Sequence, residues 1–201
     1  LLAMVLSVLP GCGQNKVVLN VFNWGEYIDK DLLTKFEKET GIKVNYELFD
    51  TNETMLAKLE TGGTKYDVIF PSDYVIEEMI DKGMLAKIDF SNIPNYQYID
   101  DRFKNLDYDP NNEYSVPYFW GTLGILYNTE MVTEPVESWD ILWDEKYAGK
   151  ILMLDSMRDT IGVALKKLGY SVNTTDPQHV QQAKELLIQQ KSMVNGYYVD
   201  E

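Results

Sequence analysis

Two aromatic side chains flank a carboxylate in the segment Trp24-Gly25-Glu26-Tyr27, which closely follows an apolar run at residues 17–22. Such a run predicts a strand, and in open α/β sheets ligands bind beyond the carboxyl ends of the strands. Because aromatic faces attract ammonium groups and a carboxylate supplies the counter-charge, the segment is suited to binding an alkyl cation. The alternative is that Trp24 only closes the first helix behind a capped strand.

Two further junctions between a predicted strand and a predicted helix carry similar side chains. Ser72 and Tyr74 follow the short apolar run at 66–70, and Ser156 and Asp159 follow a later one. An acid in the first turn of a helix is kept ionised by the amide dipoles, as a counter-ion for an ammonium group must be. Each junction alone could be ordinary helix capping. We expect all three to lie at the same edge of parallel strands, which favours a shared ligand site.

The sequence lacks the residue sets of the common catalytic and metal sites. Cys12 lies in the N-terminal segment, and the single histidine, His179, is interpreted as a solvated residue of an amphipathic helix. Neither a cysteine–histidine pair nor a zinc site is therefore expected. Gly62-Gly63 lacks the spacing and the lysine of a phosphate-binding loop. Carboxylates are plentiful, but nothing fixes the geometry of a glycosidase, so binding is favoured over catalysis and no cofactor or metal is expected.

The charge balance restricts the partners. The 201 residues include 32 acidic and 18 basic side chains, which gives a formal net charge of −14. This balance argues against nucleic acid and against adsorption to anionic lipid, and it suits a cationic small molecule. Many secreted bacterial proteins are acidic for solubility alone, so the charge does not identify the ligand by itself.

Strand and helix patterns alternate along the chain with short loops between them, and residues 89–112 form a long irregular connection. Alternation of this kind predicts an α/β fold built from parallel, right-handed βαβ units. The predicted strands lie at 17–22, 42–48, 66–70, 123–127 and 150–154, and the predicted helices at 29–39, after a cap at Thr51 or Asn52, after a cap at Ser72 or Asp73, and at 139–143, 158–168 and 176–190.

The N-terminal segment has the features of a bacterial export signal. Residues 1–9 are apolar and too few to span a membrane, which is typical of the central region of a signal peptide. The sequence Leu-Pro-Gly-Cys that ends at Cys12 resembles a lipobox, in which the cysteine is lipidated. Residues 1–16 are therefore interpreted as signal peptide, lipobox and tether, and the absence of an initiator methionine predicts an incomplete N-terminus. The alternative is an ordinary signal peptide with a chance cysteine.

An ordered set of short motifs extends from residue 17 to the end of the chain. It includes Asn23-Trp24, Glu26-Tyr27, Glu39-Thr40-Gly41-Ile42-Lys43-Val44, Asn52-Glu53-Thr54-Met55, Tyr66-Asp67-Val68, Pro71-Ser72, Tyr74, Asp109-Pro110-Asn111-Asn112, Tyr114-Ser115-Val116-Pro117-Tyr118 and Leu168-Gly169-Tyr170-Ser171. This order resembles that of the extracytoplasmic spermidine/putrescine-binding proteins of ABC transporters. The resemblance implies a two-lobed periplasmic-binding-protein fold of type II with parallel-sheet lobes.

The resemblance also implies a domain division. Residues 17–122 correspond to the N-terminal lobe, and residues 123–201 to the hinge and a partial C-terminal lobe. The second lobe is expected to be incomplete, because members of the family extend well beyond this length. The missing part would carry further aromatic and acidic contacts, so this chain alone is expected to bind polyamine weakly or not at all.

The first lobe would supply most of the matched ligand contacts. Trp24 and Tyr27 match positions that enclose the alkyl chain and nitrogens of the polyamine, and Glu26 matches a position lining the same pocket. Ser72 and Tyr74 match the second loop of this lobe.

The second lobe matches the family less closely. Asp159 matches an acidic residue that pairs with an ammonium group, but Ser156 stands where spermidine-binding members can have aspartate. Serine keeps hydrogen bonding and loses the charge. This departure puts strict spermidine selectivity in doubt and leaves room for putrescine.

The function implied is that of a receptor, not an enzyme. We expect a monomeric protein outside the cytoplasm, in the periplasm or on the outer face of the cytoplasmic membrane, held through a lipid anchor. It would deliver polyamine to the permease subunits of an ABC transporter. The alternatives are a receptor of the same fold for another cationic amine or amino acid derivative, and a secreted hydrolase that uses paired acids.

Overall fold

The computed structural model describes residues 17–199. The predicted signal peptide, lipobox and tether, with Cys12, lie outside these residues. The described chain divides between Met79 and Ile80 into two compact units. The predicted lobe boundary between residues 122 and 123 is not decided by this division and stays a prediction.

The first unit is a parallel three-stranded sheet with helices between its strands. Its strand order is β2-β1-β3, so β1 is the middle strand. The right-handed rule for such crossovers places the helices α1 and α2 on opposite faces of the sheet. The elements are β1 (Val18–Asn23), α1 (Lys30–Thr40), β2 (Lys43–Leu48), α2 (Asn52–Thr61), β3 (Val68–Ile69) and α3 (Asp73–Asp81), the last of which continues into the second unit.

Local capping explains where the first two helices begin and end. The side chain of Asp29 accepts a hydrogen bond from the Asp31 amide at the start of α1, and Thr51 accepts one from the Thr54 amide at the start of α2. Gly41 ends α1 in the left-handed conformation, with φ of 74°, which glycine adopts at little cost. Thr51 is thus the cap of α2, which leaves the side chain of Asn52 available for other contacts.

The core of the first unit is formed by side chains of β1, α2 and α3. Phe22 of β1 and Met55 of α2 are almost fully buried, and Val75 and Met79 of α3 are buried as well. Phe22 stacks on Tyr66 with ring centroids 4.5 Å apart, and it meets Phe49 edge-on at 4.9 Å. This packing fixes the carboxyl end of β1, from which the first predicted loop emerges.

The second unit contains a two-stranded parallel sheet, β4 and β5, packed with two helices. Buried residues of β4 and of the first helix form one core cluster with Tyr147, and the two helices form another cluster around Ala164 and Ala183. The elements are short 3₁₀ turns at Phe90–Asn92, Pro94–Tyr98, Asp101–Phe103, Trp139–Trp143 and Glu145–Tyr147, then β4 (Ile151–Leu154), α4 (Met157–Lys167), α5 (Pro177–Gln190) and β5 (Val194–Tyr198).

The short helix expected at Trp139–Trp143 is confirmed, as a 3₁₀ helix. Two other expectations are wrong. Residues 123–127 form no strand, since no segment of the described chain pairs with them, and Leu126 is fully exposed. The three polar junctions do not share one sheet edge, because the strand before Ser156 pairs with β5 and belongs to a different sheet from β1 and β3. Within residues 17–199, no helix combines the length and the apolar character needed to cross a bilayer.

Candidate functional site

Trp24 directly follows β1 and is held at both ends of its indole. The ring nitrogen donates a hydrogen bond to the Phe70 carbonyl at 2.8 Å, and the ring packs on Phe49 with centroids 4.5 Å apart. Its backbone amide donates to the side-chain oxygen of Asn23 at 2.8 Å. A buried or half-buried indole usually satisfies its N–H in this way, and the result here is a fixed aromatic surface at the end of the strand.

Tyr27 provides a second ring beside Trp24. The two centroids are 5.9 Å apart and the planes are inclined by 35°, within the range of interacting aromatic pairs. Glu26, between them in the chain, is exposed and forms no salt bridge or hydrogen bond with any other described residue. A carboxylate without a cationic partner next to two rings can accept an ammonium group from outside the chain.

Ser72 lies in the loop that joins β3 to α3, Tyr74 is the second residue of α3, and both hydroxyl groups contact Asn52. The Nδ2 atom of Asn52 donates to Ser72 Oγ at 2.9 Å and to the Tyr74 hydroxyl oxygen at 2.8 Å. The Oδ1 atom of Asn52 accepts from the Ser72 amide at 3.1 Å. Asn52 is only 5% exposed. The sequence indicated Asn52 as a candidate helix cap and as part of a matched motif, but its contacts with Ser72 and Tyr74 were not predicted.

The loops after β1 and β3 are joined to each other. Phe70 follows β3 directly, and its carbonyl is the acceptor for the Trp24 ring nitrogen. The Phe70 amide donates to the Phe22 carbonyl at 3.1 Å, which extends the pairing of β1 with β3. The structure therefore brings five predicted residues of the first unit to the carboxyl ends of the neighbouring strands β1 and β3. These residues are Trp24, Glu26, Tyr27, Ser72 and Tyr74.

Ser156 and Asp159 form the start of α4 in the second unit. Ser156 caps the helix, and its hydroxyl oxygen accepts from the Asp159 amide at 3.3 Å. Thr160 donates from its hydroxyl to the Leu154 carbonyl at 2.7 Å, which ties the first turn of α4 to β4. The carboxylate of Asp159 is exposed and has no partner among residues 17–199.

The ionic cluster of the first unit lies apart from the predicted contacts. Glu47 accepts hydrogen bonds from the Lys58 ammonium and the Tyr66 hydroxyl, and these bonds hold the pKa of the Glu47 carboxyl below its ordinary value. Glu47 and Tyr66 also line an open pocket together with Asn20, Val44, Asn45, Tyr46 and Thr64. None of the predicted site residues lines this pocket. The Glu47 carboxylate already has Lys58 as its cationic partner, so we assign it no role in the loops at the strand ends.

His179 is not simply solvated. Its ring stacks on Tyr170 with centroids 3.7 Å apart, and its Nδ1 atom lies 2.9 Å from the Thr174 hydroxyl oxygen. These contacts fix the start of α5. The described part of the chain contains no group of three or more histidine, cysteine, aspartate or glutamate side chains that could hold a metal ion.

Comparisons with known proteins agree on the class of this chain. Residues 31–200 match the family model described as bacterial extracellular solute-binding protein. The chain is 41% identical over 187 residues to a spermidine/putrescine-binding periplasmic protein of Salmonella typhimurium, covering 92% of the chain and 54% of that protein. It is 37% identical over 210 residues to the putrescine-binding periplasmic protein SpuD of Pseudomonas aeruginosa, covering 98% of the chain and 57% of that protein.

The fold of this chain is also similar to that of a solved structure. The TpPotD lipoprotein of Treponema pallidum superposes with a TM-score of 0.84 at 38% sequence identity, over 91% of this chain and 58% of that one. The parallel-sheet α/β fold expected from the sequence is therefore confirmed. The chain spans about half the length of the curated relatives it matches.

Proposed function

Because this chain belongs to the bacterial extracellular solute-binding proteins, we propose that it binds a polyamine, putrescine or spermidine, and delivers it to the permease of an ABC transporter. The relatives from Salmonella typhimurium and Pseudomonas aeruginosa are named for binding these two amines. A receptor of this kind performs no chemistry on its ligand.

The observation that carries the proposal is the arrangement around Glu26. The rings of Trp24 and Tyr27 are 5.9 Å apart at the end of β1, and the carboxylate between them in sequence has no cationic partner in the described chain. A charge-assisted hydrogen bond contributes about 1.5–3 kcal/mol, and a cation–π contact about 0.5–2 kcal/mol. A few such contacts reach about −8 kcal/mol, which is micromolar affinity, after the entropic cost of binding.

Four further residues are proposed as ligand contacts. Ser72 and Tyr74 offer hydroxyl groups at the start of α3, and the Trp24 ring nitrogen donates to the Phe70 carbonyl just before this point of the chain. Ser156 and Asp159 are proposed from the resemblance, and the unpaired carboxylate of Asp159 in the first turn of α4 supports this assignment. Every ammonium group removed from water needs such a partner, because an unpaired desolvated charge is costly.

The place of action is proposed to be outside the cytoplasm, with a lipid on Cys12 as the anchor and with the protein as a monomer. Two relatives are named as periplasmic, and one solved relative is named a lipoprotein. Labelling of cells with a radioactive fatty acid tests the anchor: the label is expected on the complete protein and lost in Cys12→Ser. Label retained in Cys12→Ser would show that the lipid, if any, is attached elsewhere.

Calorimetric titration of the complete protein, as it occurs in the cell, tests the ligand assignment. The panel contains putrescine, cadaverine, spermidine and spermine, with lysine, arginine and glutamate as amino acid controls. We expect micromolar or tighter binding of at least one diamine or triamine, and none of glutamate. Binding confined to the amino acids would replace the polyamine with an amino acid derivative, and turnover of an ester or glycan would indicate a hydrolase.

A further inference from the structure

We propose that Asn52 is the positioning residue of the ligand site: its side chain sets the place and the hydrogen-bonding polarity of both Ser72 and Tyr74. Asn52 is the first residue of α2, whereas Ser72 and Tyr74 lie 20 and 22 residues further along the chain, at the start of α3. This inference rests on the proposed function, because it assigns a role within the same site.

Asn52 is available for this role because its neighbour caps the helix. The Thr51 hydroxyl oxygen accepts from the Thr54 amide at 3.1 Å, which satisfies the orphan donor that an asparagine at the cap would otherwise serve. The side chain of Asn52 therefore makes its three hydrogen bonds to another segment, all of them to Ser72 and Tyr74 at the start of α3.

The orientation of the Asn52 amide follows from the donor that faces it. The backbone N–H of Ser72 can only donate, so the atom that it meets at 3.1 Å must be the carbonyl oxygen of Asn52. The NH₂ group then faces the two hydroxyl oxygens, and both of them must accept from it. Their own hydroxyl hydrogens consequently point away from Asn52.

The polarity matters for a cationic ligand. A hydroxyl oxygen has two lone pairs and one hydrogen. With one lone pair engaged by Asn52, the Ser72 hydroxyl retains one lone pair that can accept from an ammonium group. If Asn52 were replaced by an apolar residue, both hydroxyl groups would lose this donor, and the start of α3 would lose its tie to α2.

Burial makes the network costly to break. Asn52 is only 5% exposed. A buried polar group that loses its partner cannot bond to water instead, so the folded state is destabilised. The same loop is held on its other side by the bond between Trp24 and the Phe70 carbonyl. The two ties connect the start of α2, the loop after β3 and the end of β1 into one hydrogen-bonded arrangement.

The experiment compares Asn52→Ala and Asn52→Asp in the complete protein with two separate readouts. Amide hydrogen exchange at Ser72, without ligand, measures whether the loop is tied to α2. It is expected to be at least about tenfold faster in Asn52→Ala and within about twofold of the parent in Asn52→Asp, because the carboxylate keeps the acceptor for the Ser72 amide. Exchange unchanged in Asn52→Ala would overturn the proposal.

Calorimetry with spermidine and putrescine gives the second readout. Asn52→Ala is expected to bind about tenfold more weakly, and adding Tyr74→Phe to it is expected to cost less than the same change in the parent, because both changes disturb one network. Full additivity of the two losses, or unchanged affinity in Asn52→Ala, would overturn the positioning role.

Gln190→Ala is the matched control, since Gln190 is a fully buried amide of the second unit that donates to the Leu142 carbonyl at 2.8 Å. It is expected to lower the melting temperature without changing amine affinity. If the parent protein binds no amine at all, the proposed function fails, whereas the exchange rate at Ser72 still decides whether Asn52 holds the loop.

Discussion

Trp24 combines an anchoring hydrogen bond with an aromatic surface, and two substitutions separate these roles. Trp24→Phe keeps a ring but leaves the Phe70 carbonyl without its donor, so we expect a loss of about 1 kcal/mol in the free energy of unfolding and amine affinity within a few-fold of the parent. Trp24→Ala removes both the hydrogen bond and the ring, so we expect amine binding to weaken at least about tenfold in addition to the loss of stability. Urea unfolding and calorimetry measure the two effects, and unchanged affinity in Trp24→Ala would show that the indole does not contact the ligand.

A substitution at Glu26 can remove a charge without disturbing the folded structure. Glu26→Gln removes the unpaired carboxylate, so we expect amine affinity to fall at least about tenfold, which corresponds to about 1.4 kcal/mol, with little change in melting temperature. Glu39→Gln is the matched control, because α1 runs back from the carboxyl ends of the strands and Glu39 lies near its far end. An equal loss of affinity in both variants would mean that only the overall charge matters.

The sequence was informative about these side chains where a motif is local. Trp24 and Tyr27 are three residues apart, and their position after an apolar run was enough to predict their meeting. Asn52 could not be assigned in the same way, because Thr51 and Asn52 are both of types favoured as helix caps and the partners of Asn52 lie about twenty residues away. Only the packing of α2 beside the loop after β3 reveals its role.

At the scale of elements, the start of α4 shows how capping and binding can be separated. Aspartate caps helices about as well as serine, so Ser156→Asp is expected to keep the free energy of unfolding within about 0.5 kcal/mol. If Ser156 contacts the ligand, the added carboxylate should tighten spermidine binding several-fold in calorimetry. Ser138→Asp makes the same change at another serine cap and should leave affinity unchanged. Equal affinity in the parent and in Ser156→Asp would remove Ser156 from the site.

The segment before β4 contains an acid whose titration affects stability. Hydrogen bonds from Lys146 and Tyr147 lower the pKa of Glu134 to about 2 from an ordinary value of 4.5. The pKa is depressed in the folded state, so the stabilisation is present above about pH 4.5 and is lost as the pH falls towards about 2. Its size is modest because the side chain is partly exposed.

The urea midpoint of Glu134→Gln tests this linkage. At about pH 5 the variant is expected to unfold at lower urea than the parent, and at about pH 2.5 the difference should be smaller. A difference that grows as the pH falls would contradict the assigned direction. Titration of the Glu134 carboxyl by NMR in the folded protein measures the pKa itself.

Helices whose ends are marked by local capping residues were predicted well, whereas strands that depend on distant pairing partners were not. Gly41 and Thr51 mark helix ends locally, so the bounds of α1 and α2 are close to those expected. The run 66–70 shortens to the two residues Val68–Ile69, which are its ladder partners with β1, although the Asp67 and Phe70 amides still donate to carbonyls of β1. The run 123–127 has the composition of a strand, but a strand requires a neighbour, and none of the described segments provides one.

At the scale of the whole chain, the net charge of −14 on these 201 residues predicts how a cationic ligand such as the proposed polyamine would reach the protein. Long-range attraction between opposite charges accelerates association and is screened by salt. Stopped-flow measurements on the complete protein should therefore show the association rate constant of spermidine falling between about 0.02 M and about 0.5 M NaCl, while the dissociation rate changes much less. An association rate that does not respond to salt would show that the charge serves solubility alone.

Segment 118–127, which forms neither helix nor strand, affects how this chain must be handled. It contains no charged residue and no proline, and Trp120 and Leu126 are strongly exposed. Short apolar windows of this composition pair readily with identical copies and seed insoluble fibrils or amorphous precipitate. A preparation of these 201 residues is therefore expected to need low concentration and a solubilising partner, and any covering of this segment acts as protection against self-association.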